Sequence, residues 1–149
     1  MVTFRKITEE NFDPILRMDA GDGGLFTTSA AISLAQAWLY RNEPDPIYPF
    51  AIYDDETPVG FMQIGADPKG RLACLWHFLI DRKHQGKGYG TAAVQLLLKL
   101  MGESGEYDSI SLCCHKDHLR GQHLYQKLGF RCTGPEGSHD LGFEFYFNQ

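Results

Sequence analysis

The hydrophobic positions of this chain change period several times, and each change marks an element. Residues 2–7 alternate in the manner of a strand. Thr8 or Asn11 then stands where it can cap a short helix whose apolar face is Phe12, Ile15, Leu16 and Met18. Gly21, Gly23 and Gly24 interrupt the pattern. From Ser29 to about Tyr40, helical spacing returns with Ile32, Leu34, Ala35, Trp38 and Leu39 as the apolar face. Residues 42–49 carry Pro44, Pro46 and Pro49 and read as loop. Residues 50–53 and 59–64 flank the acidic turn Asp54-Asp55-Glu56-Thr57, which predicts a hairpin. After a turn at Asp67, Pro68 and Gly70, residues 72–81 form a long apolar strand.

The glycine-rich segment 85–90 follows, and the period becomes helical over 91–101 through Ala93, Val94, Leu97, Leu98 and Met101. Residues 109–114 read as a strand, and 119–128 as a helix stopped by Gly129 at its C′ position. Strands 130–133 and 141–147 complete the chain. The last sets Phe143, Phe145 and Phe147 against Glu144 and Tyr146, as a sheet with two unlike faces requires. This apolar strand is also where two copies of the chain are expected to pair, if the protein is a homodimer. The order is β-α-α-β-β-β-α-β-α-β-β. It predicts an α/β fold, a mixed sheet with helices on it, in one domain spanning residues 1–149.

Composition narrows the function classes. The chain has 14 Lys and Arg against 19 Asp and Glu, a net charge of −5, so it lacks the excess of cations that general nucleic-acid binding uses. The most apolar helical stretch, residues 92–101, is broken by Gln95 and Lys99 and is far shorter than the about 20 residues of a bilayer span. No charged-then-apolar leader follows Met1, so a cytoplasmic location is expected. Cys74, Cys113, Cys114 and Cys132 contain no C-x-x-C pair, and adjacent Cys113 and Cys114 point to opposite faces of a strand, so free thiols are expected. His115, Asp117 and His118 lack a metal-ligand framework, and no metal is expected.

The chemistry concentrates at Gln85-Gly86-Lys87-Gly88-Tyr89-Gly90, between a strand and a helix. A helix start offers unpaired N–H groups and a partial positive charge, and glycines let a ligand approach the backbone. Phosphate oxygens are the natural ligand, with Lys87 as a cation at the rim. The segment is not a Walker A loop. Gly88-Tyr89-Gly90-Thr91-Ala92-Ala93 fits the relaxed dinucleotide pattern. However, it lies past mid-chain, and the next strand ends in Cys113-Cys114-His115 rather than at an acid.

Gln85-x-x-Gly88-x-Gly90 after Phe78-Leu79-Ile80-Asp81 resembles the diphosphate-binding turn of the GNAT superfamily of acyl-CoA-dependent N-acetyltransferases. His123-Leu124-Tyr125-Gln126-Lys127-Leu128-Gly129-Phe130 resembles that family's closing helix. The resemblance is specific over residues 76–130 and loose before them. It implies acetyl-CoA as co-substrate, with the pantetheine arm along Phe78, Leu79 and Ile80 where two central strands splay apart. The diphosphate would lie against Gln85, Gly86, Lys87, Gly88, Tyr89, Gly90 and Thr91, with His118 and Gly121 completing the site. A backbone N–H near Leu79 would polarise the acetyl carbonyl. Tyr125 is implied as the catalytic residue, its hydroxyl donating to the departing thiolate.

Two positions depart from the family pattern. His118 stands where Asn is common, and Trp76 stands where polyamine acetyltransferases often carry a carboxylate. His77 adjoins Trp76, on the opposite face if the strand is regular, so the base is His77 or a water chain, with a structural histidine as the other reading of His77. Residues 29–39 loosely resemble bacterial spermine/spermidine or diamine acetyltransferases, which implies a small primary amine as acceptor. Asp19, Asp22, Glu43 and Asp45 are candidates to attract it, and Trp38, Tyr40 or Trp76 to hold it by cation–π contact. In the other reading Trp38 is core and the acids are merely solvated. An antibiotic, amino-acid or protein amine is the alternative acceptor, and a non-catalytic acyl-CoA sensor the alternative function.

Overall fold

The computed structural model describes residues 1–148. Strands β1 (Val2–Lys6), β2 (Ile47–Asp54), β3 (Thr57–Asp67), β4 (Leu72–Ile80), β5 (Ser109–His115), β6 (Arg131–Glu136) and β7 (Asp140–Tyr146) join in one sheet of order β1-β2-β3-β4-β5-β7-β6. Helices α1 (Phe12–Leu16) and α2 (Ala30–Leu39) precede β2. Helices α3 (Tyr89–Ser104) and α4 (Leu119–Lys127) precede and follow β5. The element order is the one the hydrophobic periods predict, and the sheet is mixed. All its pairs are antiparallel except β4 with β5.

Alternation along the strands builds two cores, one on each face of the sheet. Ile52, Met62, Ile64 and Ile80 turn toward Ala93, Val94, Leu97 and Met101 of α3 and toward Tyr125 of α4. Their sequence neighbours Ala51, Tyr53, Phe61 and Leu79 turn the other way, toward Ile15, Met18 and Ala30 beside α1 and α2. The two early helices thus cover one face of β2 to β4, and α3 with α4 the other.

The parallel pair is brief. Residues 72–75 of β4 match 109–112 of β5, and beyond them the strands part. The remainder of β4 is paired only with β3, so one edge of that segment is free. This is the splay that the family resemblance implied.

Several details differ from the sequence expectations. β2 begins at Ile47, inside the segment read as loop, because Pro49 sits within a strand whose partner β3 extends to Asp67. α3 begins at Tyr89, two residues early, because Gly88 turns the chain into the helix with a left-handed φ of 86°. α2 does not bury its large apolar stripe. Its buried residues are Ala30 and Ser33, while Ile32, Trp38 and Leu39 are more than half exposed. Small inward residues let this helix lie close to the sheet. The last strand is not an edge. β7 runs between β5 and β6, so its backbone is already paired on both sides and cannot pair two copies. The β6–β7 hairpin folds back to insert β7 beside β5 and leaves β6 outermost.

The β3–β4 contact tolerates no side chain at Gly60. A Cβ there would lie 2.5 Å from the Leu79 carbonyl oxygen and 2.8 Å from Ile80 Cδ1. Gly60→Ala is therefore expected to lower the unfolding free energy by about 1–3 kcal/mol, the usual cost of overpacking. Denaturant melts read it directly, and an unchanged midpoint would show that β4 yields freely at this point.

Candidate functional site

The splay between β4 and β5 opens a cleft of about 690 Å³. Phe78, Leu79 and Ile80 line one side and Cys113, Cys114 and His115 the other. The turn into α3 closes one end, and Tyr125 and Gly121 of α4 stand across from it.

At the α3 end, Gly86 and Gly88 have φ of 76° and 86°, conformations that cost glycine little and other residues more. The backbone N–H groups of residues 87–91 donate to no protein acceptor among the described residues. They stand at the N-terminus of a 16-residue helix, whose dipole favours an anion there. Neighbouring side chains are committed elsewhere. Gln85 Nε2 donates to the carbonyls of Ala20 (2.7 Å) and Ile80 (2.9 Å), so its amide pins the turn to the α1–α2 loop. The Tyr89 hydroxyl donates to Asp54 at 2.6 Å, which raises the Tyr89 pKa and lowers that of Asp54. What this turn presents to a ligand is main chain. Lys87 is exposed and does not line the cleft, whereas Gln85, Gly86, Gly88, Tyr89, Gly90 and Thr91 do. Arg120, which had no part in the expected site, is the arginine among the lining residues, beside four histidines. Its place in the first turn of α4 was the available signal.

Tyr125 is buried against Phe130 and Phe143, with ring centroids 5.6 and 6.3 Å away. Its hydroxyl makes no protein hydrogen bond among the described residues and is not sealed from the cleft. Burial, with Cys114 as a lesser influence, raises its pKa well above the ordinary phenol value. It is a neutral O–H donor throughout the physiological range. Gly121 leaves the space that His118 and Cys114 occupy, since a Cβ there would fall 2.7 Å from His118 Nδ1 and 3.1 Å from Cys114 Sγ. His118 lies in the cleft wall with its ring stacked on Phe26 (centroids 4.7 Å, 9° between planes). Burial lowers its pKa despite the opposing charge of Asp22. Phe26 belongs to the α1–α2 loop and had no sequence signal.

β4 is not regular where it leaves β5. Gln63 of β3 faces His77 and Ile64 faces Leu75, so Trp76 is an extra residue, a bulge. The bulge turns both Trp76 and His77 toward α2, correcting the expectation of opposite faces. The Trp76 indole covers Gly65, where a Cβ would lie 2.6 Å from Nε1, and meets Tyr40 edge-on at 5.9 Å. His77 Nδ1 lies 2.7 Å from Ser33 Oγ of α2.

Trp76 is also a wall of a second cavity, of about 440 Å³, lined by Tyr40, Glu43, Asp45, Asp67 and Leu72. The three carboxylates form no ion pair with a basic side chain among the described residues. Of the other acids, Asp19 and Asp22 cap loop amides at Gly21 and Gly24. Trp38 is neither core nor free to hold a cation on both faces, because the Arg41 guanidinium lies 3.6 Å over its ring.

Residues 15–130 match the acetyltransferase (GNAT) family. The chain is 26% identical over 140 residues to the spermine/spermidine N(1)-acetyltransferase of Bacillus subtilis (strain 168), covering 89% of this chain and 90% of that protein. Among solved structures, spermidine N-acetyltransferase from Vibrio cholerae in complex with CoA and spermine superposes with a TM-score of 0.78 at 16% identity, covering 97% of this chain and 95% of that one. The Salmonella typhimurium acetyltransferase that modifies the N-terminal serine of ribosomal protein L7/L12 superposes with a TM-score of 0.77 at 13% identity, covering 97% and 94%. With its splayed strands, its turn of unpaired amides and a match over most of its length, the chain belongs to the acetyltransferase (GNAT) family and is an acyltransferase.

Proposed function

We propose that this enzyme transfers the acetyl group of acetyl-CoA to a primary amine of a small di- or polyamine. The observation that carries the acceptor class is the second cavity. Glu43 and Asp45, which have no side-chain partner among the described residues, Asp67, whose Oδ1 accepts the Gly70 N–H, and two aromatic rings surround it, and it shares Trp76 with the cleft that holds Tyr125. A diamine with one nitrogen in the cleft would place its other ammonium among Glu43, Asp45 and Asp67, where carboxylates and ring faces both favour a cation.

Acetyl-CoA supplies the acyl group as a thioester. The residues fit it: the amides of residues 87–91 would hold the diphosphate, and the free edge of Phe78, Leu79 and Ile80 would pair with the pantetheine amides. A strand N–H on the free edge beside Leu79 would polarise the carbonyl, since the register that pairs the Asp81 N–H with the Val59 carbonyl turns the Leu79 N–H toward β3. As the C–N bond forms and the C–S bond breaks, the Tyr125 hydroxyl would give its proton to sulfur. Burial pushes the Cys114 thiol up to about 11, so it stays protonated beside the cleft. This favours direct transfer over an acyl-cysteine on the enzyme.

Thiol release from acetyl-CoA across spermidine, lysine, an aminoglycoside and an N-terminal peptide tests the reading. Spermidine is expected to give the highest kcat/KM. Glu43→Gln with Asp45→Asn is expected to raise the KM for spermidine about tenfold, one lost ion-pair's worth, without moving that for a monoamine. A peptide as the best acceptor would overturn the polyamine assignment.

A further inference from the structure

The reaction needs a group to take a proton from the amine, and β4 carries no carboxylate where Trp76 stands. We infer that His77 is the general base, with Nε2 as the accepting atom and Ser33 as the positioning residue that fixes its tautomer. The inference rests on the acetyl-transfer reading and names a residue for it.

The argument starts at Ser33. It is fully buried on α2, and its Oγ lies 3.1 Å from the Ser29 carbonyl and 2.7 Å from His77 Nδ1. A hydroxyl has one hydrogen. Directed at the Ser29 carbonyl, it leaves an Oγ lone pair facing the imidazole, and the bond at Nδ1 is then an N–H donated by the ring. The neutral imidazole so held has its free lone pair on Nε2. Among the described residues Nε2 has no hydrogen-bond partner, it is not sealed from solvent, and His77 lines the cleft that also holds Tyr125.

The surroundings are polar but uncharged. Gln63, the register partner of His77 on β3, is completely buried with neither amide atom hydrogen-bonded. Gln36, three residues after Ser33 and on the same side of α2, has a buried Oε1 without a partner. Buried amides without partners are costly, and they mark a place where polar groups serve more than packing. Ser33 from α2, Gln63 from β3 and Trp76 beside it are not titratable, so no charge faces the ring. Burial alone lowers its pKa, which keeps it a base at neutral pH. In the step itself, Nε2 takes one proton from the bound ammonium, the freed amine attacks the thioester carbonyl, and its second proton passes to solvent as the C–N bond forms and the C–S bond breaks. The Tyr125 proton goes to sulfur, and solvent then returns a proton to Tyr125 and takes one from His77.

Nitrogen NMR of the histidine side chains in the intact protein reads the tautomer without any turnover. An Nδ1–H form titrating below the ordinary 6.5 is expected, and an Nε2–H form would overturn the assignment. In kinetics with acetyl-CoA and spermidine, His77→Gln is expected to lower kcat/KM about 100-fold at pH 7. Its KM for acetyl-CoA should stay unchanged, and the defect should shrink toward pH 10 as free amine accumulates. Ser33→Ala, the milder change, is expected to populate the Nε2–H form and reduce kcat/KM severalfold. Turnover by the unaltered protein with an unaffected His77→Gln profile sinks the role of His77 alone. Absence of thiol release from the unaltered protein with every amine sinks the acetyl-transfer reading, and His77 with it.

Discussion

Tyr125→Phe is expected to lower kcat about 1000-fold, within the range of general acid catalysis, and to leave the KM for acetyl-CoA nearly unchanged. The ring is fixed by Phe130 and Phe143, and removing one oxygen leaves those contacts intact. What is lost is an O–H that lines the cleft without a protein acceptor among the described residues. A thiolate departing without that proton leaves as a worse group, so the loss falls on the transition state rather than on binding. The sign of the pH dependence follows from burial. The pKa of Tyr125 is raised, so the donor form persists beyond pH 10, and no descending basic limb attributable to this residue is expected below that value. Stopped-flow thiol release in single turnover reads the chemical step. Equal rates for Phe and Tyr enzymes there would remove Tyr125 from the mechanism.

The fold was legible because its information is local. Each strand and helix announces itself by period, and the glycines at 86, 88 and 129 sit where φ is positive. That the glycine turn and Tyr125 line one cleft was legible for the same reason, since each is a short contiguous segment beside a strand or helix end. The acceptor side was not. Its parts come from α2, β3, β4 and the loop after α2, brought together only by tertiary packing. A bulge of one residue at Trp76 reversed the facing of His77, and nothing in Leu75-Trp76-His77 encodes it. The bulge falls at the point where β4 loses β5 as a neighbour, so it answers to the register of two flanking strands.

The same distinction explains α2 and β7. Ile32, Trp38 and Leu39 make a convincing apolar stripe, but the face chosen is the one with Ala30 and Ser33. Only small residues let the helix approach closely enough for Ser33 to reach His77 at 2.7 Å. Periodicity predicts a face, and the competing polar contact decides against it. For β7, alternation correctly predicts two unlike faces, yet it carries no information on which strands lie at its edges.

Gly88→Val is expected to raise the Kd for CoA about 100-fold while leaving binding of free pantetheine, which has no diphosphate, unaltered. Gly88 is the N-cap of α3 at φ 86° and ψ 4°. An L residue pays about 1–2 kcal/mol there, and a β-branched one is worse placed still. The peptide relieves this by rotating, which re-aims the amides at residues 88–90. Nothing lies within 4 Å of the position a Cβ would take, so the damage comes from backbone conformation and not from a clash. The helix itself stays anchored by Ala93, Val94, Leu97 and Met101 in the core. Losing one hydrogen bond to a charged ligand, worth roughly 1.5–3 kcal/mol, accounts for a factor of about 10 to 150. Gly88→Ala should fall between the two, because it strains φ without branching at Cβ. Titration calorimetry with CoA and with pantetheine separates the diphosphate contribution from that of the β4 edge. Equal losses for both ligands would place the effect in the cleft as a whole and remove the amides of this turn as the anion site.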